Sequence, residues 1–220
     1  MDLNGYHRVI ERVGEAAARG RRDLSDITVV AVSKGRTVAE IEALHSEGHR
    51  DFGENRAGEM VEKVGQLPDD IRWHFVGSLQ SNKVRAIRGS THLLHSVDRG
   101  SLAKAWVKGL GQPPPILIQV NIGSEEQKGG VEPEQASDLI GEAVSLGLDP
   151  QGLMAIPPLG AVPEDSRRFF VSLRELRDLL TTAAHPLGHL SMGMTNDFEV
   201  AIEEGASIIR VGRAIFDSTH

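Results

Sequence analysis

The chain has 220 residues, 40% of them apolar and 25% charged, which suits one large domain or two small ones with a core that needs no staples. It has no cysteine, which excludes a disulfide scaffold, a thiolate metal site and a cysteine nucleophile. The net charge is −7 and the Arg and Lys are scattered, which argues against nucleic acid as a partner, since that needs a basic stripe.

The opening stretch Met1-Asp-Leu-Asn-Gly-Tyr-His-Arg8 lacks the apolar core of a signal peptide, and no apolar run approaches membrane-spanning length. A cytoplasmic protein without membrane contact is expected. Leu3, Tyr6, Ile10, Val13 and Ala17 then fall at helical spacing and predict an amphipathic helix ending near Gly20. After it, β-rich runs alternate with helical patterns. The strand candidates are Ile27–Ser33, His49–Phe52, Trp73–Val76, His92–Val97, Ile116–Asn121, Gly152–Ile156, Leu187–Leu190 and Ser207–Val211, with Leu187–Leu190 the weakest.

Between them run apolar stripes. Thr37-x-x-Glu40 reads as a capping box ahead of Ile41 and Leu44. Ala57, Met60, Val61 and Val64 make the next stripe, and Leu102, Ala105 and Trp106 another, with Asp98 as the expected cap. Pro133 suits a first helical turn before Ala136, Leu139, Ile140, Ala143 and Val144. Phe169, Leu173, Leu176 and Leu180 stripe a long late helix, and Phe198 and Ile202 mark another behind Thr195 or Asn196. Strand–helix alternation implies a parallel sheet, and eight units imply a closed (β/α)8 TIM barrel with an extra N-terminal helix. A doubly wound open sheet is the alternative. No linker divides the chain, so a single domain over 1–220 is expected; Gln112-Pro-Pro-Pro115 and Pro157-Pro158-Leu-Gly160 read as loops.

In a barrel of this kind, function collects where the strands end. Lys34 ends the first apolar run. An amine there can lose solvent, drop its pKa and attack an aldehyde, although strand-end lysines also simply reach for water. Ser191, Gly193, Gly212 and Arg213, in the loops after the last two strands, suit a phosphate held on backbone amides; ordinary loop residues are the competing reading. A lysine opposite a phosphate cradle fits pyridoxal 5′-phosphate (PLP). Arg210 alternates with Ile209 and Val211, so its side chain is expected in the barrel mouth, facing the pyridine nitrogen or held in a salt bridge. As a donor it would leave that nitrogen unprotonated and the ring a weak electron sink.

These residues resemble a known family. Trp73-His-Phe-Val-Gly-Ser-Leu-Gln-Ser-Asn-Lys83 is similar to the signature of the pyridoxal phosphate homeostasis proteins. Ala31-Val-Ser-Lys34, Phe52-Gly-Glu-Asn55, Gly152-Leu-Met154, Leu190-Ser-Met-Gly-Met194 and Arg210-Val-Gly212 match it in the same order, from about Ile27 to Phe216. The resemblance implies a PLP-bound barrel of fold type III, like the N-terminal domain of alanine racemase. It implies a Schiff base on Lys34, a phosphate held by Ser191, the Met192 amide, Gly212 and residue 213, and Arg210 at the pyridine nitrogen. Asn55 and Met154 would lie beside the cofactor. The implied role is PLP binding and balance of the cytosolic pool, with PLP-dependent apo-enzymes as possible recipients and no settled catalytic activity. The chain departs from the pattern at Arg213, where relatives carry a small or hydroxyl residue, at Arg36, where many carry lysine, and in a short tail after Phe216.

A racemase of this barrel type adds a tyrosine from a second domain. Here the one tyrosine, Tyr6, lies in the first helix, so a binder or carrier is expected ahead of a racemase-like enzyme of low activity. A phosphosugar aldolase is a third reading, but only Glu54 offers a carboxylate near an early strand end. The pairs His45/His49 and His185/His189 have ligand-like spacing but sit at turns, and no metal is expected. His92 and His95 are read as facing the helices and His74 as facing the barrel interior. Lys83 and Lys128 are candidates for guiding or accepting PLP, with solvated surface lysines as the plainer reading. With no second domain to form a racemase-type interface, a monomer is expected.

Overall fold

The structure is a computed structural model that describes residues 3–125, 127–158 and 160–217. Leu159, in the loop expected after the sixth strand, and the end of the chain lie outside the described residues. A first helix, α1 (Asn4–Arg19), is followed by β1 (Thr28–Val32), α2 (Val38–Ser46), β2 (Asp51–Glu54), α3 (Ala57–Val64), β3 (Arg72–Phe75) and α4 (Val84–Ile87). Then come β4 (Thr91–Val97), α5 (Gly100–Val107), β5 (Ile116–Gln119), α6 (Ala136–Ser145), β6 (Pro150–Met154), α7 (Arg167–Leu180), β7 (His189–Ser191), α8 (Phe198–Glu203), β8 (Ile208–Val211) and α9 (Arg213–Phe216). The strands close in chain order into one parallel eight-stranded barrel, the TIM barrel expected from the alternation.

Strand alternation sorts the core into two layers. Val30, Leu93, Leu117, Met154 and Ile208 form a small cluster inside the barrel, with Ile156 against it. The larger cluster lies between strands and helices, where Phe52, Phe75, Leu94 and Ile118 meet Met60, Trp106, Leu139, Phe170 and Phe198. Each large apolar side chain buried there stabilises the fold by about 1.5–3 kcal/mol.

Local signals explain several elements. The Thr37–Glu40 capping box forms, with Glu40 N–H donating to Thr37 Oγ1 and Thr37 N–H to Glu40 Oε2. Helix α1 ends at Gly20 as its stripe predicts. Other expectations are corrected. Helix α5 starts after Arg99 rather than Asp98, and Asp98 pairs with the Arg99 guanidinium instead. Helix α8 starts after Asp197, whose carboxylate accepts from Met194 N–H and Ser166 Oγ. In α7 it is Phe170, not Phe169, that enters the core; Phe169 lies under the Arg168 guanidinium. Strand β7 starts two residues later and ends one residue later than the expected Leu187–Leu190.

Helix α1 packs across α8 and α9. Arg12 and Arg19 pair with Glu199 and Glu203, and Arg22 donates to the Ala206 carbonyl at 2.5 Å. Gly5 makes the approach to α9 possible, since a Cβ there would stand 2.7 Å from the Ala214 carbonyl oxygen. No helix among the described residues is long and apolar enough to cross a membrane.

Candidate functional site

The C-terminal rim of the barrel carries most of the residues expected there. Lys34 lies in the turn just after β1 and is exposed, so its amine keeps its solvent in this structure. Val30 faces the barrel interior, and Lys34 follows two residues after β1 ends, at the C-terminal side of the barrel. A buried cluster fixes that turn from below. Lys63, 5% exposed, donates to the Ser33 carbonyl (2.6 Å), Glu54 Oε1 (2.6 Å) and Glu59 Oε1 (2.7 Å). Ser33 Oγ donates to Glu54 Oε1 at 2.7 Å, and Gly35 N–H to Glu59 Oε1 at 2.5 Å. Residues on both sides of Lys34 are thus anchored while its own side chain is free to reach outward. Burial pushes the Glu54 carboxyl up, against the lowering effect of Lys63 and Ser33.

On β8, Arg210 is in register with Val30 of β1 and is buried. Its Nη1 donates to Ser191 Oγ at 2.6 Å and its Nη2 to the Ala155 carbonyl at 2.9 Å, which leaves N–H donors without an acceptor among the described residues. Burial lowers its pKa to about 10, with Asp197 opposing, so the guanidinium stays charged at neutral pH. Met154 is the register partner of Ser191 and belongs to the inner cluster. Asn55 closes β2 against Gly77, where a Cβ would stand 2.4 Å from the Asn55 carbonyl oxygen. The Asn55 Oδ1 is buried and unpartnered.

Beyond β8, Gly212 packs against β1, since a Cβ there would lie 3.1 Å from the Val32 carbonyl oxygen. The backbone N–H groups of Gly212 and Arg213 meet no acceptor among the described residues. Arg213 itself is exposed. Two residues expected at a phosphate are otherwise engaged. Ser191 is fully buried, with its hydroxyl between Arg210 and His95, and the Met192 N–H donates to the Ile208 carbonyl at 3.1 Å while its side chain sits in the outer core. The neighbouring Thr195 is half-buried in the loop that follows.

The remaining candidates separate. His74 faces the interior as expected. His95 is corrected: it points inward too, with its Nε2 2.9 Å from His74 Nδ1. His45 pairs with Asp70, His49 with the Asp51 carbonyl, and His189 with Ser207. Lys83 is exposed. Lys128 is tied to the Pro157 carbonyl (2.8 Å) and to Glu125. Arg36 pairs with Asp217 and lies over Phe216, joining the turn after β1 to α9. Lys63 and His95 are the functional candidates that the sequence pattern missed. A lysine three residues after buried Met60, inside an apolar stripe, was the available signal for the first.

The donor set at this rim fits PLP: an accessible primary amine, a buried charged donor with spare N–H groups, and unpartnered amides at the next turn. Residues 16–219 match the family model described as alanine racemase, N-terminal domain. A pyridoxal phosphate homeostasis protein of Aquifex aeolicus is 43% identical over 95% of this chain and 94% of its own length. The protein of that name from Pseudomonas aeruginosa is 39% identical over 95% and 92%. The structure of PipY from Synechococcus elongatus with PLP bound superimposes with a TM-score of 0.75 at 32% identity, covering 93% of this chain and 99% of that one. By sequence and fold together, the chain belongs to the pyridoxal phosphate homeostasis protein family, built on the barrel of the alanine racemase N-terminal domain.

Proposed function

We propose that this chain holds PLP at the C-terminal rim of its barrel through Lys34 and serves the balance of the cofactor pool rather than a turnover reaction. The observation that carries the reading is the buried, charged Arg210 in register with the strand that leads to the accessible Lys34. PLP supplies an aldehyde that condenses with a primary amine, with loss of one water, and a ring nitrogen and a phosphate that can be held apart from it.

Each role then follows from this chain's own atoms. Lys34 offers the amine, and the anchored Ser33 and Gly35 keep its backbone in place. Arg210 can only donate, so a ring nitrogen facing it accepts and stays unprotonated, which disfavours carbanion chemistry. The Gly212 and Arg213 amides, with Thr195 across the loop, cradle the phosphate; this gives Ser191 the task of orienting Arg210 in place of a direct phosphate contact. Asn55 and Met154 border the ring. The one tyrosine, Tyr6, hydrogen-bonds His49 at 3.5 Å near the N-terminal end of β2, the far end of the barrel from Lys34. A racemase's second base is therefore not supplied from it. The family name and the PLP-bound PipY structure support the reading. A cytoplasmic monomer that passes PLP to apo-enzymes completes the proposal.

The test is the visible absorption of the purified protein with added PLP, before and after borohydride, beside Lys34→Ala. The reading expects a yellow protein, trapping of the cofactor on the Lys34 peptide, and loss of both in the variant. A wild type that stays colourless with PLP overturns it.

A further inference from the structure

A line of side-chain hydrogen bonds crosses the interior of the barrel from rim to base. Arg210 Nη1 donates to Ser191 Oγ at 2.6 Å. Ser191 Oγ and His95 Nδ1 stand 2.8 Å apart, His95 Nε2 and His74 Nδ1 2.9 Å, and His74 Nε2 and Asp51 Oδ1 3.0 Å. At the base, Arg72 donates to both oxygens of Asp51, at 2.7 and 2.5 Å. Arg210, Ser191, His95 and His74 are all buried. They come from β8, β7, β4 and β3, so the line is a product of barrel closure.

The chemistry of the first member orders all the others. Arginine has no lone pair to offer, so Ser191 Oγ must accept from it. The single hydroxyl hydrogen of Ser191 then goes to its other partner, His95 Nδ1. A neutral imidazole that accepts at one nitrogen carries its hydrogen on the other, so His95 Nε2–H donates to His74 Nδ1. By the same step His74 Nε2–H donates to Asp51. In this order every hydrogen shared between members of the line has an acceptor, and the line runs from a cation to an anion. The opposite order, with His95 Nδ1–H donating to Ser191, leaves the serine hydrogen without an acceptor among the described residues.

We propose that this line is a relay that fixes Arg210 toward the cofactor, with Asp51 as its remote counter-charge and His74 and His95 as positioning residues held in the neutral Nε2–H form. The inference deepens the PLP reading and rests on it for the identity of what Arg210 faces. The groups around the imidazoles are Asp51, Arg72, His92, His189 and Arg210, with Asp197 beside Arg210. Burial is the largest cause that holds His95 well below the usual histidine range, in keeping with a neutral ring.

Two measurements test it. Long-range ¹⁵N–¹H NMR of the full chain without PLP, with peaks assigned by loss in His74→Asn and His95→Asn, reads the tautomers directly. Both rings are expected in the Nε2–H form at pH 7; an Nδ1–H or doubly protonated ring there overturns the relay. In the PLP-loaded protein, Asp51→Asn keeps an oxygen acceptor but removes the charge, and Ser191→Ala cuts the line beside Arg210. Each is expected to speed PLP dissociation about three- to tenfold, the worth of one hydrogen bond, and the double variant no more than Ser191→Ala alone. Rates that multiply in the double variant mean that Asp51 acts independently of the line, which also overturns the proposal. If the protein does not take up PLP, the function proposed above fails while the tautomer result still stands or falls by itself.

Discussion

Glu54 has no accessible surface, and Lys63 is the cation bonded to it. Removing one partner of a buried pair is more damaging than never having built it, because the remaining charge stays unsolvated. Lys63→Met is therefore expected to destabilise the fold by about 3–5 kcal/mol, read from urea unfolding. The pH dependence has a definite sign. Glu54 is raised by burial even with Lys63 present, so its contribution is most favourable below the unfolded carboxyl range and is lost as pH rises through the folded value. Without Lys63 that value rises further, so the deficit of the variant is expected to be larger at pH 8 than at pH 5; an equal deficit at both would mean that Glu54 is not the group left uncompensated. The placement of Lys34 just after a strand and of Arg210 within one was legible in the sequence, because each stands in a strand pattern among small or apolar residues. The Lys63 cluster and the inner relay were not, because their partners are brought together by folding: Ser191 meets His95 across 96 positions. Strand alternation says which way a side chain points but not what it will touch.

At the scale of elements, the weakest reading and the tightest packing coincide. Strand β7 has three residues, His189–Ser191, and the sequence placed it at Leu187–Leu190 because its apolar run is short and interrupted by Gly188. It is held by its neighbours rather than by its own propensity. Ser207 Oγ accepts from Leu190 N–H, and Gly152 of β6 lets the two backbones approach, since a Cβ there would stand 2.0 Å from the His189 carbonyl oxygen. Gly152→Ala is expected to lower stability by about 1–3 kcal/mol, as a lower urea midpoint at unchanged slope, and to speed PLP release because β7 carries Ser191 and leads to Thr195. Gly58 of α3 is the contrast: a Cβ there meets nothing within 4 Å. Gly58→Ala is expected to stabilise by about 0.4–1 kcal/mol with PLP release unchanged. A destabilised Gly58→Ala would show that the helix, and not the strand contact, limits the fold. Helices α4 and α9 escaped the sequence reading because four residues each are too few to show a helical period.

The whole molecule couples its two faces through one closed sheet, and the rim residues come from strands far apart in the chain. Arg36 with Asp217, and α1 with α8 and α9, tie the first strand–turn unit to the last. A ligand that bridges Lys34 after β1 and the turn after β8 stabilises that same closure. Anything that binds only the folded state adds RT ln(1 + [L]/Kd), about 2.7 kcal/mol at a hundredfold excess over Kd. For a chain of 220 residues this corresponds to a rise in Tm of roughly 5–11 °C. Titration of the wild type with PLP in a thermal melt is expected to reach that rise and to continue logarithmically with concentration. Lys34→Ala removes the covalent link but leaves Arg210 and the Gly212 and Arg213 amides, so a smaller rise is expected at the same PLP concentration. Arg210→Leu in addition should abolish it. A full rise in Lys34→Ala would mean that the stabilising PLP sits away from the barrel rim, on one of the surface lysines, and no rise in the wild type would mean that the folded chain does not select the cofactor at all.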